Sequence, residues 1–308
     1  MHTQRLYFIL IIAALTTCSP KKLTPEEFQA YQSEIEVWHQ ERLDEVKSPQ
    51  GWLNLVGLYW LEPGINTFGT APDNKIIFPE ETIAANAGYY RVNQQDITFL
   101  PIEAAIAING RPIVKETTIP LDSLRGATFT CGSLEWYILR RDTRLGIRLR
   151  DLNSPTVKAF KGIDRYPVDP AYRIEATFER ADSTHTIDII NVIGQTTAQS
   201  SPGALVFTLH GQEYRLDALE EGDELFIIFG DETSGKDTYG GGRFIYTDKP
   251  NAENKVYIDF NKAHNPPCVF TPYATCPLPP VQNILKVSVE AGEKNYHAEG
   301  QSETAKGI

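Results

Sequence analysis

The chain is 308 residues long and acidic, with 40 Asp and Glu against 29 Lys and Arg, a formal net charge of -11 and 41% apolar residues. That composition supports a substantial core and excludes a nucleic-acid binder, because an acidic surface repels the phosphate backbone. No low-complexity tract or internal repeat interrupts it, so nearly the whole length reads as globular.

The first residues pair Arg5 with an apolar run from Leu6 to Leu15, too short to span a bilayer and suited to a signal peptide. Leu15-Thr16-Thr17-Cys18 resembles a lipobox, with Thr17 where Gly, Ala or Ser is usual. The expectation is a signal peptide over 1–18, lipidation of Cys18, and a cell-envelope, periplasm-facing protein that touches the membrane through that lipid alone. A linker and helix then occupy 19–50: Thr24 caps, Pro25 starts and Glu27 closes a capping box, and Phe28, Tyr31, Ile35 and Trp38 form one apolar stripe before Ser48-Pro49.

Beyond the helix the period falls to two. Ile97–Leu100, Glu135–Leu139, Ile147–Arg150, Leu205–Leu209 and Leu225–Phe229 are short, rich in branched and aromatic residues, and bounded by turn formers. The fold class is therefore mainly β: an N-terminal helix, a β subdomain over 51–120, a larger sandwich or barrel-like domain over 121–297, and a disordered tail over 298–308. In the first subdomain Leu61-x-x-Gly64-x-Asn66-x-Phe68-Gly69, Asn74-x-Ile76-x-Phe78-Pro79 and Gly88-x-Tyr90-x-Val92 resemble the scaffold of forkhead-associated domains. That resemblance implies a β-sandwich but not phosphothreonine binding, since Thr70 replaces the arginine and Ala84 to Ala87 replace the Ser-Arg-x-His donors.

The second region carries GIRLRD, KGIDRYPVDPAYRIEA and the string from Asp259 to Pro280. From about Trp38 to Lys294 the chain resembles the family known as domain of unknown function 1684, and the last string is its most specific marker; the resemblance implies no particular reaction. In GIRLRD, alternation sends Ile147 and Leu149 inward and leaves Arg148 and Arg150 on the other face, as a solvated ladder or an anion site.

Candidate site residues converge on three neighbouring segments. Gly230 to Asp237 has nearly Walker A spacing, but Asp237 stands where a Ser or Thr must hold magnesium and Gly240-Gly241-Gly242 forbids the helix, so the segment reads as an ordered loop. Its Asp231, Ser234, Tyr239 and Arg243 are expected to bind a small polar or anionic molecule together with Asn261. A symmetric hairpin would set Arg243 opposite Asp259, with Phe260, Phe270 and Tyr273 as an apolar wall. Asp259 or Glu290 with His264 is the candidate catalytic pair if the protein is a hydrolase; as a binding or envelope assembly protein it would use the same groups for hydrogen bonds only. Cys268 and Cys276, braced by Pro266-Pro267 and Pro279-Pro280, are expected to form a disulfide, with free thiols or a zinc site including His264 as the alternatives. No cofactor or metal fingerprint is present in the sequence.

Overall fold

The computed structural model describes residues 23–297 with residue 142 excepted; the leader, Cys18 and the tail from 298 lie outside the described residues. The expected helix forms as α1 (Pro25–Lys47), and its capping box is complete, Thr24 N–H donating to Glu27 at 2.8 Å and Glu27 N–H to the Thr24 hydroxyl at 3.2 Å. Its buried stripe runs from Tyr31 and Ile35 through His39 and Arg42 to Val46. Among the described residues no helix is long and apolar enough to cross a membrane.

Eleven strands follow: β1 (Leu55–Trp60), β2 (Gly64–Gly69), β3 (Ile76–Ile77), β4 (Gly88–Val92), β5 (Asp96–Pro101), β6 (Ala107–Ile108), β7 (Arg111–Pro112), β8 (Thr117–Pro120), β9 (Thr128–Cys131), β10 (Leu134–Arg141) and β11 (Arg144–Asp151). They form a six-stranded sheet in the order β1-β11-β10-β9-β6-β7 and a five-stranded sheet in the order β3-β2-β4-β5-β8. Their facing sides bury Phe68, Phe78, Tyr90, Phe99, Phe129 and Trp136, and the Trp136 indole N–H donates to the Tyr90 hydroxyl at 2.7 Å, so the core's polar edges are satisfied. The first β unit thus extends to Asp151 rather than ending near Pro120, because β11 returns to pair with β1 and closes the sheet.

The GIRLRD alternation holds, with Ile147 and Leu149 in this core, but the opposite face is covered. Arg148 and Arg150 are buried: Arg150 donates to the Gly51 carbonyl, and Arg148 lies over the Trp52 ring at 6.0 Å and donates to the Tyr137 hydroxyl at 3.3 Å. The arginine ladder therefore joins the sandwich to the segment that follows α1, in place of a solvated or ligand-facing role.

After the short α2 (Pro155–Ala159) come β12 (Arg173–Arg180), β13 (Thr186–Ile190), β14 (Thr196–Ser200), β15 (Gly203–Leu209), β16 (Gln212–Glu221), β17 (Glu224–Phe229), β18 (Arg243–Asp248) and β19 (Lys255–Asp259). Six of them form an antiparallel sheet in the order β18-β17-β16-β15-β12-β19. Its two end strands are consecutive in sequence and curl together: the Thr247 hydroxyl donates to the Tyr257 carbonyl at 2.6 Å, and Phe244 and His264 exchange backbone hydrogen bonds of 2.9 and 3.0 Å. The result is a nearly closed barrel filled by Phe207, Ile227, Phe229, Ile245, Ile258 and Phe260. The β13–β14 hairpin packs Ile187 and Ile189 on the outside, against Phe226, Ile228 and Phe244. From Phe260 to His297 the described residues form only short 3-10 turns, and side-chain amides hold them in place, the Asn283 amide donating to the carbonyls of Ile228 and Asp217 at 2.9 Å each.

Candidate functional site

Along β18, Arg243, Ile245 and Thr247 point into the barrel and Phe244, Tyr246 and Asp248 point out. Gly242 precedes this strand at φ +84°, a conformation that favours glycine, and a Cβ there would strike Pro279 and the Phe229 carbonyl. The Arg243 guanidinium is fully buried. It pairs with Asp231 at 2.8 Å, donates to the carbonyls of Val289 at 2.9 Å and Ala291, and lies over the Phe229 ring at 5.2 Å. Asp231 in turn accepts from the Thr233 backbone at 2.8 Å and hydroxyl at 2.6 Å. Both residues are thus committed to structure, and neither is offered to a ligand.

The expected Arg243–Asp259 pair does not form. β19 pairs with β12, which sets Asp259 opposite Arg173, and β18 pairs with β17, which sets Arg243 opposite Phe229; the two side chains project to opposite sides of the wall. The alternation in β19 is otherwise as read, with Val256 and Ile258 in the core and Tyr257 outward. Asp259 instead accepts from the Tyr31 hydroxyl of α1, which lies 2.8 and 2.9 Å from its two oxygens, and from the Asn261 backbone N–H at 3.0 Å and side-chain amide at 3.2 Å. Asn261 completes the knot, its amide donating to the Tyr31 oxygen at 2.9 Å and to the Asp169 carbonyl at 2.8 Å. Burial raises the Asp259 carboxyl above the ordinary carboxylate range, and hydrogen bonds from Tyr31 and Asn261 oppose that rise.

Docking α1 against the outer barrel wall leaves two adjoining clefts of about 480 and 270 Å³ that share Trp38, Tyr246 and His264. The imidazole of His264 lies parallel to the Tyr246 ring, at 5.9 Å and 10°, and 6.1 Å from Trp38. Its Nδ1 is 3.2 Å from the Lys262 carbonyl, which can only accept, so Nδ1 carries the proton and Nε2 keeps a lone pair. Burial and the nearby Arg42 charge push the His264 pKa down to about 3, which keeps the ring neutral at physiological pH. Beneath it Glu293, 1% exposed, accepts from the Asn265 backbone at 2.7 Å and lies 3.6 Å from Arg42 Nε. Burial raises the Glu293 carboxyl, and the Arg42 charge counters it. Burial and the carboxylates of Glu221, Glu224 and Glu45 push the Tyr246 phenol up to about 12.

The remaining predicted residues lie elsewhere. Glu290 is exposed and borders neither cleft; its backbone N–H donates to the Tyr172 hydroxyl at 3.3 Å. The Ser234 hydroxyl accepts from the Asp231 backbone at 3.1 Å, inside the loop. Cys268 and Cys276 are free thiols in this structure and the expected bridge is not made; the Cys268 N–H donates to the Cys276 sulfur at 3.0 Å. Hydrogen bonds from the Cys276 thiol and the Tyr239 hydroxyl hold the Cys268 thiol below its usual pKa, while that of Cys276 is raised. Phe260 fills the barrel and Phe270 packs with Val46 and Leu53 under α1, so the cleft's aromatic wall comes from Trp38 and Tyr246. In the sequence Trp38 is marked only as a member of the apolar stripe of α1, and nothing near Tyr246 singles it out.

A β-sandwich joined to a near-closed barrel, with a helix laid over the barrel's seam, defines a mainly β protein with its open surface at the helix. Residues 158–294 match the model of the family described as "Protein of unknown function (DUF1684)". The chain is also similar to the solution NMR structure of an uncharacterized protein of Haloarcula marismortui, at 30% identity, with 44% of this chain and 78% of that chain covered and a TM-score of 0.38. Two forkhead-associated domain structures, the FhaA domain complexed with an intracellular domain and a study of phosphothreonine-dependent interactions, are each 15% identical, with 30% of this chain and 97% and 92% of theirs covered at a TM-score of 0.22. The comparison with curated proteins finds no match. The chain belongs to the DUF1684 family.

Three measurements check this geometry. Asp231→Asn leaves the Arg243 charge buried without its counter-ion and is expected to cost about 3–5 kcal/mol in urea unfolding. Arg243→Ala and Asp259→Ala share no partner and should be additive, with a coupling energy near zero. For His264 the folded-state pKa of about 3 lies below the ordinary value of 6.5, so the unfolded chain takes up the proton first and stability falls as pH drops from 6.5 toward 3. His264→Asn keeps a donor to the Lys262 carbonyl and should flatten that slope in unfolding followed from pH 7 to 4.5. An unchanged slope would mean that His264 is not the group that titrates.

Proposed function

We propose that the protein is a cell-envelope lipoprotein that binds a small polar molecule in the cleft between α1 and the outer wall of the barrel. The observation that carries the binding reading is the continuity of the two clefts around Trp38, Tyr246 and His264, where aromatic faces stand beside polar groups. Asp259 and His264 both line the smaller cleft, and binding is favoured over hydrolysis because each is engaged by a protein partner. His264 Nδ1 is tied to the Lys262 carbonyl, Asp259 is held by Tyr31, and Glu290 is outside the cleft. The forkhead-associated resemblance adds no phosphopeptide, since the phosphate-binding side chains of that scaffold are replaced here.

Thermal shift against a library of polar metabolites tests the site. At least one compound is expected to raise the Tm of the wild-type chain, and Trp38→Ala with Tyr246→Ala should weaken its binding about tenfold or more, the loss of two stacking faces. If every stabilising compound acts equally on the variant, the ligand site is not this cleft.

The envelope reading has its own measurement. Cys18→Ala is expected to prevent acylation and release the domain in soluble form, and an unaltered membrane fraction would overturn the anchor. In the same envelope-derived protein the facing thiols of Cys268 and Cys276 are expected to close in the oxidising compartment, leaving the chain lighter by two hydrogens until reductant is added.

A further inference from the structure

The clefts differ from a generic polar pocket in the sign of their charge and in the kind of hydrogen bond they leave open. Six carboxylates border them, those of Glu34, Glu41, Glu45, Glu224, Asp248 and Asp259, against three cations, Arg42, Arg173 and Lys262. All three cations are engaged. Lys262 pairs with Glu34 at 2.7 Å, Arg173 lies over the Tyr31 and Tyr257 rings at 5.3 and 5.4 Å, and Arg42 is divided among Glu45, Glu293 and the Asn265 carbonyl. Glu41, Glu224 and Asp248 make no ion pair among the described residues. An anion entering here would meet twice as many carboxylates as cations, with Arg42 and Lys262 already in ion pairs.

Among the buried atoms without a hydrogen bond, Arg42 Nε and Glu293 Oε1 face each other at 3.6 Å, which leaves the Asn265 oxygen as the acceptor at the cleft. Asn265 lines the larger cleft with the residue fully buried; its amide nitrogen donates to the Lys294 carbonyl at 2.7 Å, yet its Oδ1 has no hydrogen-bond partner among the described residues. Glu293 Oε1, close behind it, likewise accepts no hydrogen bond among them. With the His264 Nε2 lone pair, the Asn265 oxygen is an acceptor set beside the aromatic faces of Trp38, Trp52 and Tyr246. A buried acceptor without a donor is costly, so a ligand that brings N–H groups gains most here. Faces of Trp and Tyr attract cations through their quadrupoles.

We propose that the cleft selects organic cations that carry N–H donors, a primary ammonium or a guanidinium group, over neutral or anionic molecules of the same shape. This rests on the cleft being the ligand site. Its polar rim would pair the ligand's charge with Glu41, while its ring wall covers the adjoining apolar part.

The test uses three probes of matched shape, benzylammonium, benzyl alcohol and benzoate, titrated calorimetrically into the lipid-free mature chain at neutral pH. Benzylammonium is expected to bind about tenfold or more tighter than benzyl alcohol, with benzoate weakest. Its affinity should fall several-fold in Glu41→Gln, which alters an exposed position that makes no ion pair among the described residues, and should fall further in Trp38→Ala. Equal or tighter binding of the alcohol or benzoate, lost in Trp38→Ala, would overturn the selectivity and leave the cleft as the site. Benzylammonium binding that neither variant alters would overturn both the selectivity and the cleft. Absence of benzylammonium binding at millimolar concentration would also overturn the selectivity.

Discussion

The fully buried guanidinium of Arg243 is the point on which the C-terminal half of the molecule depends. Taking such a charge out of water costs several kcal/mol, and the cost is offset only where a counter-ion and carbonyl oxygens surround it. Asp231 supplies the counter-ion and the carbonyls of Val289 and Ala291 supply the rest, so the segment around Val289 to Ala291 is drawn into the mouth of the barrel. That placement sets Glu293 beneath Arg42 and Asn265, which positions the C-terminal half of α1. A single inward arginine thus fixes the loop before it, the strap after it and, through Glu293, the helix on the other side of the wall.

The same strand serves the opposite surface. Because side chains alternate along β18, the parity that buries Arg243 and Ile245 also directs Phe244 and Tyr246 outward, where they meet His264 across the backbone bridge that closes the barrel. Helix α1 roofs this surface with Trp38, held at one end by Tyr31 on Asp259 and at the other by Arg42 on Glu293. The cleft is thus bounded by two polar clamps, both buried, with its aromatic wall between them.

Much of the fold was legible because it is local. The capping box of Thr24 and Glu27, the stripe of Tyr31 and Ile35, and the alternation of Val256 and Ile258 each follow from residues a few positions apart. The site was less legible because its contacts are distant in sequence: 228 residues separate Tyr31 from Asp259, and nothing near either announces the other. A symmetric hairpin would set Arg243 on the face of Asp259, whereas β19 takes its register from β12, and β18 meets it through Thr247 and meets the following turn through the Phe244–His264 bridge. Arg148 and Arg150 read as a polar face, and their burial depends on Gly51 and Trp52, which the periodicity of β11 cannot reveal.

The Tyr31–Asp259 contact has a consequence for the order of events during synthesis. The helix emerges first, but its acceptor is made 228 residues later, roughly 10 to 45 s afterwards at ordinary rates of elongation. Until then Ile35, which is fully buried in the finished protein, has no barrel seam to lie against. The chain's first secondary structure is therefore among the last to be docked. Final assembly must wait for the far end of the polypeptide, so an interrupted translation product would display its apolar helix face to whatever chaperone or membrane surface lies nearby.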